Sequence, residues 1–526
     1  MEHKSADRQS AVGNKIRRSM PDMTAAVVTG MALIMSACGV VGASDDRAVD
    51  PGVSDRRSAT APSDLAFTDD DLAATEDGLV IAVVGPIGTV PAEVSMGNQG
   101  EVIVTDLLFD GLTEADGWSE SLVPALASGW EANDSFDEWI FELDPERISA
   151  EEVISHFEGL DGAAHNPNVA QLVDLVASVE KVDGLSDPES VRFSLTRSEA
   201  GFAWLLSGLS ASIAGPDGEP TGQYRAIDQS DDGMTLGSEN GPDIGIVWTE
   251  DEPAAYKLLV DHSVDGAVVS GALLDDAEAD LESMPPVRSI TRFYGINRDS
   301  ERLSDSSLVE ALLAAVDRNQ LVDRALDVET FSTNGAVPPS LIGYELSGCG
   351  RFCDYDPDKA KRLVAYVTLK QKAAPELRIG FSGDTQEPVA AEVARQLAEA
   401  GFDVSIEQLT GAALIRKVAA DEIDLFSYGS VAPTSSLDGS VLTTFASTSS
   451  SNLVGVDNEN IDIVLRIAAT EGDDQKRWEL LSNVHARVMA EHRILPLAVA
   501  KSHLVVDPDL GYVMVRPDGS IDLSQG

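Results

Sequence analysis

A mixed α/β fold divided into two lobes is what this sequence predicts, on three observations. The chain runs to 526 residues, beyond the roughly 250–300 at which a single hydrophobic core stops growing. Apolar residues make up 43% of it and charged residues 24%, with a mean hydropathy of -0.04. That balance suits a globular protein, and neither a disordered chain nor a polytopic membrane protein. Strand-like runs also alternate with stretches of helical period along most of the length.

Taken in order, Gly78-Leu79-Val80-Ile81-Ala82-Val83-Val84 is an apolar run bounded by Gly and Pro, and reads as a buried strand. Glu101–Phe109 has helical spacing, with Gly111 as its C-cap. Trp139–Leu143 and Val191–Leu195 alternate as strands do, and Ser149–Phe157 and Val169–Val176 between them carry helical spacing. Ser307-Leu308-Val309-Glu310 has the form of a capping box, followed by Leu312 and Val316 on one apolar face. Asp317 caps a further helix running to Leu326, and Asp356-Pro357 opens another. Leu377–Phe381, a helix with Val389, Val393 and Leu397 on one face ending at Gly401, and Phe402–Glu407 make a βαβ unit. Then come a helix at Ala412–Ala420, a strand at Ile423–Tyr428 and helices around Ile461–Ile467 and Trp478–Met489. The strand Ile494–Val499 is the last of the series.

The N-terminus reads as an address. Lys15, Arg17 and Arg18 precede an apolar stretch, Thr24–Met35, that is too short to span a bilayer stably. It ends in Met35-Ser36-Ala37-Cys38-Gly39, which resembles the bacterial lipobox, with Cys38 as the lipidated residue. An ordinary cleaved signal or an anchor helix is the other reading. Residues 39–75 lack an apolar period and read as a tether, with a root-mean-square reach of roughly 30 Å. The net charge of -52 excludes a nucleic-acid partner, because no basic patch is available to displace phosphate counterions. So acidic a surface either draws cationic ligands or simply stays well solvated. Past Cys38 only Cys349 and Cys353 remain, as a local disulfide or as two free thiols.

Signatures of catalysis are missing. The sequence has no Gly-x-x-x-x-Gly-Lys-Ser/Thr loop, no His-Glu-x-x-His and no Gly-x-Ser-x-Gly. Gly348-Cys349-Gly350 lacks the third glycine of a dinucleotide fingerprint and reads as a turn. The acidic doublets Glu151-Glu152, Asp231-Asp232 and Asp473-Asp474 sit in polar stretches, and His492 and His503 flank a strand. No catalytic residue, metal site or cofactor is expected.

A series of segments resembles family 5 of the extracytoplasmic solute-binding proteins. Asp106-Leu107-Leu108-Phe109-Asp110-Gly111-Leu112-Thr113 is similar to the family's Glu-Gly-Leu-Thr helix end, with Asp110 in place of Glu. Pro124-Ala125-Leu126-Ala127-Ser128-Gly129-Trp130 resembles Pro-x-Leu-Ala-x-x-Trp, and Ser149-Ala150-Glu151-Glu152-Val153 resembles Thr-Ala-Glu-Asp-Val. Tyr294-Gly295-Ile296-Asn297, Leu303-Ser304-Asp305 and Ala315-Val316-Asp317-Arg318 continue it in family order. Ala336-Val337-Pro338-Pro339, Ile423-Asp424-Leu425 and Ile494-Leu495-Pro496-Leu497 complete it.

The resemblance implies a two-lobed periplasmic-binding-protein-like fold that closes on a small solute, by family default an oligopeptide. The loaded form is then passed to ABC permease subunits and, through them, to cytoplasmic ATPases. Nickel complexes, haem, glutathione or a sugar are the alternative ligands, and a non-transport surface lipoprotein is the alternative role. A monomer is expected, held at the outer membrane face through Cys38. Lobe 1 is expected over 76–288 with an inserted subdomain near 100–185, lobe 2 over 289–490, and a return to lobe 1 over 491–526. The ligand wall implied is Ser95, Asn98, Tyr294, Asn297, Tyr428, Gly429, Ser430 and Val431. The family's Gly-Trp-x-x-Asp, whose Asp pairs a peptide's ammonium, is replaced by Tyr428-Gly429-Ser430-Val431-Ala432-Pro433, which leaves Asp438 as the nearest acid.

Overall fold

The computed structural model describes residues 78–85, 99–116, 120–160, 167–182, 189–230, 232–238, 242–269, 282–283, 290–326, 331–345, 348–383, 386–431, 434–449, 452–500, 503–506, 513–516 and 519–522. Residues 1–38 with Cys38, the segment 39–75, Ser95, Asn98 and Asp231 lie outside these.

β1 (Leu79–Val84) is an apolar, mostly buried run, followed by α1 (Gln99–Leu108) and a hairpin of β2 (Thr113–Asp116) and β3 (Ser121–Pro124). An antiparallel sheet of β4 (Ala127–Ala132), β5 (Glu138–Leu143), β6 (Val176–Lys181) and β7 (Ser190–Leu195) comes next, in the order β4-β5-β7-β6. α2 (Ala150–Gly159) and α3 (Pro167–Leu175) connect β5 to β6. Phe141, Phe193 and Phe202 meet edge to face in the core of this sheet, with centroids 5.5 and 5.3 Å apart along the series. α4 (Phe202–Leu205) follows, and then β8 (Arg225–Gln229), β9 (Gly233–Gly237), β10 (Ile244–Thr249), α5 (Glu252–Val260), β11 (Gly266–Val269) and β12 (Glu282–Ser283). With β19 (His503–Val506) these strands make a seven-stranded sheet, ordered β12-β19-β11-β1-β10-β9-β8.

The second large sheet starts at β13 (Ile290–Ile296). α6 (Ser306–Ala315), α7 (Arg318–Ala325), β14 (Phe331–Ser332) and α8 (Pro357–Gln371) follow. β15 (Glu376–Phe381), α9 (Glu387–Ala400) and β16 (Asp403–Gln408) form the βαβ unit read from the sequence, with the two strands parallel. α10 (Gly411–Ala419), β17 (Leu425–Val431), α11 (Glu459–Ala468), α12 (Asp474–Ala490) and β18 (Ile494–Ala500) complete it, in the order β14-β18-β13-β17-β15-β16. The chain passes between the two sheets from β12 to β13 and returns from β18 to β19. A short hairpin of β20 (Met514–Val515) and β21 (Ile521–Asp522) lies beyond.

Two local expectations are corrected. α6 is capped by Asp305, whose carboxylate accepts from Ser307 N at 3.0 Å, and not by a box at Ser307. Glu310 is therefore free to pair with Lys359 at 2.8 Å. Reciprocal capping occurs instead at Ser149, whose hydroxyl accepts from Glu152 N at 3.3 Å while its own N–H donates to the Glu152 carboxylate at 2.7 Å. Nor is Gly111 a left-handed cap. A Cβ there would lie 2.2 Å from the Leu206 carbonyl, so the glycine lets α4 approach the end of α1.

Candidate functional site

β13 runs antiparallel between β17 and β18, with Phe293 opposite Tyr428 and Tyr294 opposite Ser427. Because side chains alternate along a strand, this register sends Tyr294 and Tyr428 to opposite faces of the sheet. Tyr428 lies edge-on to Phe293 at 5.0 Å, and burial pushes its phenol up to about 12 although a hydrogen bond with Thr444 works against the shift. Burial also pushes the Tyr294 phenol up, but its hydroxyl is enclosed without a hydrogen-bond partner. Gly429 is buried at the far end of β17, and Ser430 and Val431 follow it there.

Asn297 is committed to structure. Its Nδ2 lies 3.2 Å from the Val418 and Ile423 carbonyls and 3.1 Å from the Asp421 carboxylate, which ties the end of β13 to the turn before β17. Its neighbour Asp424 is fully buried and accepts from Ser300 Oγ at 2.6 Å, Arg302 Nε at 2.7 Å and Arg378 N at 2.9 Å.

Asp438 is likewise occupied. It accepts from Arg477 Nε at 2.6 Å, Arg477 Nη2 at 3.2 Å and Trp478 Nε1 at 2.8 Å, all of them buried. This pair lies where the β4–β7 sheet meets the second large sheet's helices. Ala200 N donates to the Ala469 carbonyl at 2.9 Å, and Trp204 Nε1 donates to Asp474 at 3.1 Å. The Trp204 ring also meets Trp478 edge to face at 5.5 Å. A Cβ on Gly201 would lie 2.4 Å from the Asp438 carboxylate, so only glycine fits that position. Burial, and then the Asp438 charge, push the Glu199 carboxyl up to about 7. The junction's polar groups hold the molecule together.

Arg292 contrasts with these. It is the third residue of β13, on the face that carries Tyr294, and its cross-strand neighbours are Gly429 and Ala498. Neither neighbour carries a polar side chain. Nε and Nη1 of Arg292 are buried without a hydrogen-bond partner, yet the residue as a whole keeps some solvent contact. Its signal in the sequence is a lone cation inside Ile290-Thr291-Arg292-Phe293-Tyr294-Gly295-Ile296.

Cys349 and Cys353 are joined by a disulfide across a single 3-10 turn, with Cα atoms 5.6 Å apart. Among the described residues no cluster of three or more His, Cys, Asp or Glu is arranged to hold a metal. No helix among them is long and apolar enough to cross a membrane.

Residues 244–452 match the family model for the middle of "Bacterial extracellular solute-binding proteins, family 5", a stretch that contains β13, β17 and Asp438. The chain is 22% identical to the peptide transport periplasmic protein SapA of Salmonella typhimurium, over 88% of this chain and 93% of that protein. HbpA2 of Haemophilus parasuis shares the fold with a TM-score of 0.72 at 16% identity, over 85% of this chain and 100% of that one. DppA of Helicobacter pylori, solved with the peptide STSA, does so at 0.63 and 17% identity, over 85% and 97%.

Proposed function

The chain belongs to family 5 of the extracytoplasmic solute-binding proteins, and from that premise we propose that it captures a short peptide between its two lobes and delivers it to an ABC permease. The observation that carries this reading is the double passage of the chain between the two large sheets, at β12–β13 and β18–β19. The two crossings fall before β13 and after β18, and a hinged closure about them is the motion this reading requires. In such a receptor, ligand selects the closed state. Moving from mostly open to mostly closed takes about 5.5 kcal/mol of differential affinity.

Ser95, Asn98, Gly429, Ser430 and Val431 are the wall residues this reading retains as ligand contacts, with Tyr294 on the same face as Arg292. Asn297, Tyr428 and Asp438 have partners within the chain, which supports reading them as structural residues. Cys38 is the proposed lipid attachment point, and its test is palmitate labelling that Cys38→Ser abolishes while releasing the protein from membranes.

Native mass spectrometry of the full chain in detergent tests the receptor reading, with denaturation to release what is bound. A ladder of short peptides is the expected result. A single non-peptide mass would replace the ligand and keep the receptor. An empty protein whose melting temperature no peptide pool shifts would sink the reading.

A further inference from the structure

Buried N–H groups without acceptors are rare in folded proteins because desolvation is then left uncompensated. Arg292 presents two of them, and Tyr294 places an unpartnered hydroxyl on the same sheet face. Acceptors are not scarce in this chain, which has 89 Asp and Glu against 37 Lys and Arg. Other arginines of the same lobe have found theirs. Arg302 pairs with Asp424 at 2.7 Å, Arg395 with Glu392 at 2.6 Å and Arg477 with Asp438 at 2.6 Å. Arg318, mostly buried, has the Pro496 carbonyl at 2.8 Å. Arg318 keeps one unpartnered nitrogen, Nη2, but Arg292 is the one in this set whose Nε and Nη1 both lack an acceptor, and its cross-strand neighbours Gly429 and Ala498 offer no polar side chain. Arg292 as a whole keeps partial solvent contact.

We propose that Arg292, with the Tyr294 hydroxyl as a second donor, binds a carboxylate of the captured solute. A planar guanidinium suits a carboxylate because its N–H groups match the two oxygens. The polarity of recognition follows from both halves of the site. The acid nearest the place where a ligand ammonium would be paired, Asp438, is consumed by Arg477 and Trp478, so the ligand is held by its acid end. The carboxylate comes from a peptide C-terminus, an acidic side chain or a small non-peptide acid. This inference rests on the receptor reading above, and its test separates the two.

Isothermal titration of the full chain in detergent would use four probes: a tripeptide pool with free ends, the same pool C-terminally amidated, the pool N-acetylated, and a set of simple dicarboxylic acids. Amidation is expected to weaken binding roughly ten- to a hundredfold, and acetylation to change it little. Arg292→Gln is expected to remove the preference for the free acid, and Arg292→Lys to retain part of it. Binding of dicarboxylic acids alone, dependent on Arg292, would keep this proposal and sink the peptide reading. Equal affinity for free and amidated pools in the unmodified protein would overturn it. So would an acid preference that survives in a folded Arg292→Gln variant, or a failure of every carboxylate probe to bind. The amidation comparison needs no variant, so misfolding of Arg292→Gln does not rescue the proposal.

Discussion

Arg477 and Arg292 have opposite surroundings. Arg477, on α12, has a side chain only 1% exposed and gives its guanidinium to Asp438 and Asp474 at 2.6 and 2.7 Å. Arg292, on β13, is less deeply enclosed, yet two of its nitrogens have no acceptor. The first belongs to a junction whose polar groups nearly all face one another, with Trp204, Trp478 and Gly201 fitted closely around them. The second is flanked by Gly429 and Ala498. A satisfied buried cation is part of the folded structure and costs stability when its partner goes. An unsatisfied one is a cost already present in the empty protein, and removing it should not weaken the fold.

The largest effect expected from this contrast is at the satisfied site. Asp438→Ala leaves the buried Arg477 with the half-exposed Asp474 as its remaining carboxylate, takes the acceptor from Trp478 Nε1, and should cost about 3–5 kcal/mol in urea unfolding. A loss below about 1 kcal/mol would mean that the junction yields to water and that Asp438 is available for a ligand after all.

Next is the dependence on pH. The Glu199 carboxyl, pushed up to about 7 from its ordinary 4.5, holds its proton more tightly in the folded protein. Its stabilisation is therefore full below about 4.5 and is lost as pH rises through about 7, on the order of 3 kcal/mol. His156 and His485, pushed down to about 4 by burial, act in the other direction. Their stabilisation is full above 6.5 and is lost as pH falls through about 4. The melting-temperature difference between Glu199→Gln and the unmodified protein isolates the first effect, and it should widen in favour of Gln between pH 5 and 8. A difference that stays flat would place Glu199 in solvent.

The smallest effect distinguishes the two tyrosines. Tyr428→Phe loses the hydrogen bond with Thr444 and should cost about 1 kcal/mol. Tyr294→Phe removes a hydroxyl with no partner, so it should be neutral within about 0.5 kcal/mol or slightly stabilising in the same unfolding assay. Equal losses at the two positions would break the comparison.

Local chemistry was legible in the sequence where the partners are close along the chain. The βαβ unit of Glu376–Gln408 follows from strand and helix periods and from Gly401 at the helix end. Asp317 and Asp356 cap α7 and α8 as their positions announce. The cap of α6 was misplaced by two residues because Asp305 and Ser307 are both good acceptors, and only backbone geometry decides between them. Long-range pairing was illegible. Nothing near Asp438 in the sequence reveals Arg477, 39 residues on, or Gly201 across the junction. Tyr294 and Tyr428 were placed on one wall because motifs carry no register, and the strand pairing separates them. Arg292 could have been noticed as a charge within an apolar strand, but its lack of a partner is a property of the folded molecule alone.

Urea unfolding of Arg292→Gln beside the unmodified protein, with no ligand added, tests the contrast most directly. Equal or greater stability in the variant is the predicted result, since the substitution withdraws a buried charge that the empty protein does not pair. A loss of about 2 kcal/mol or more would show that Arg292 holds the fold together, as Arg477 does, and that no place has been kept for a ligand's acid.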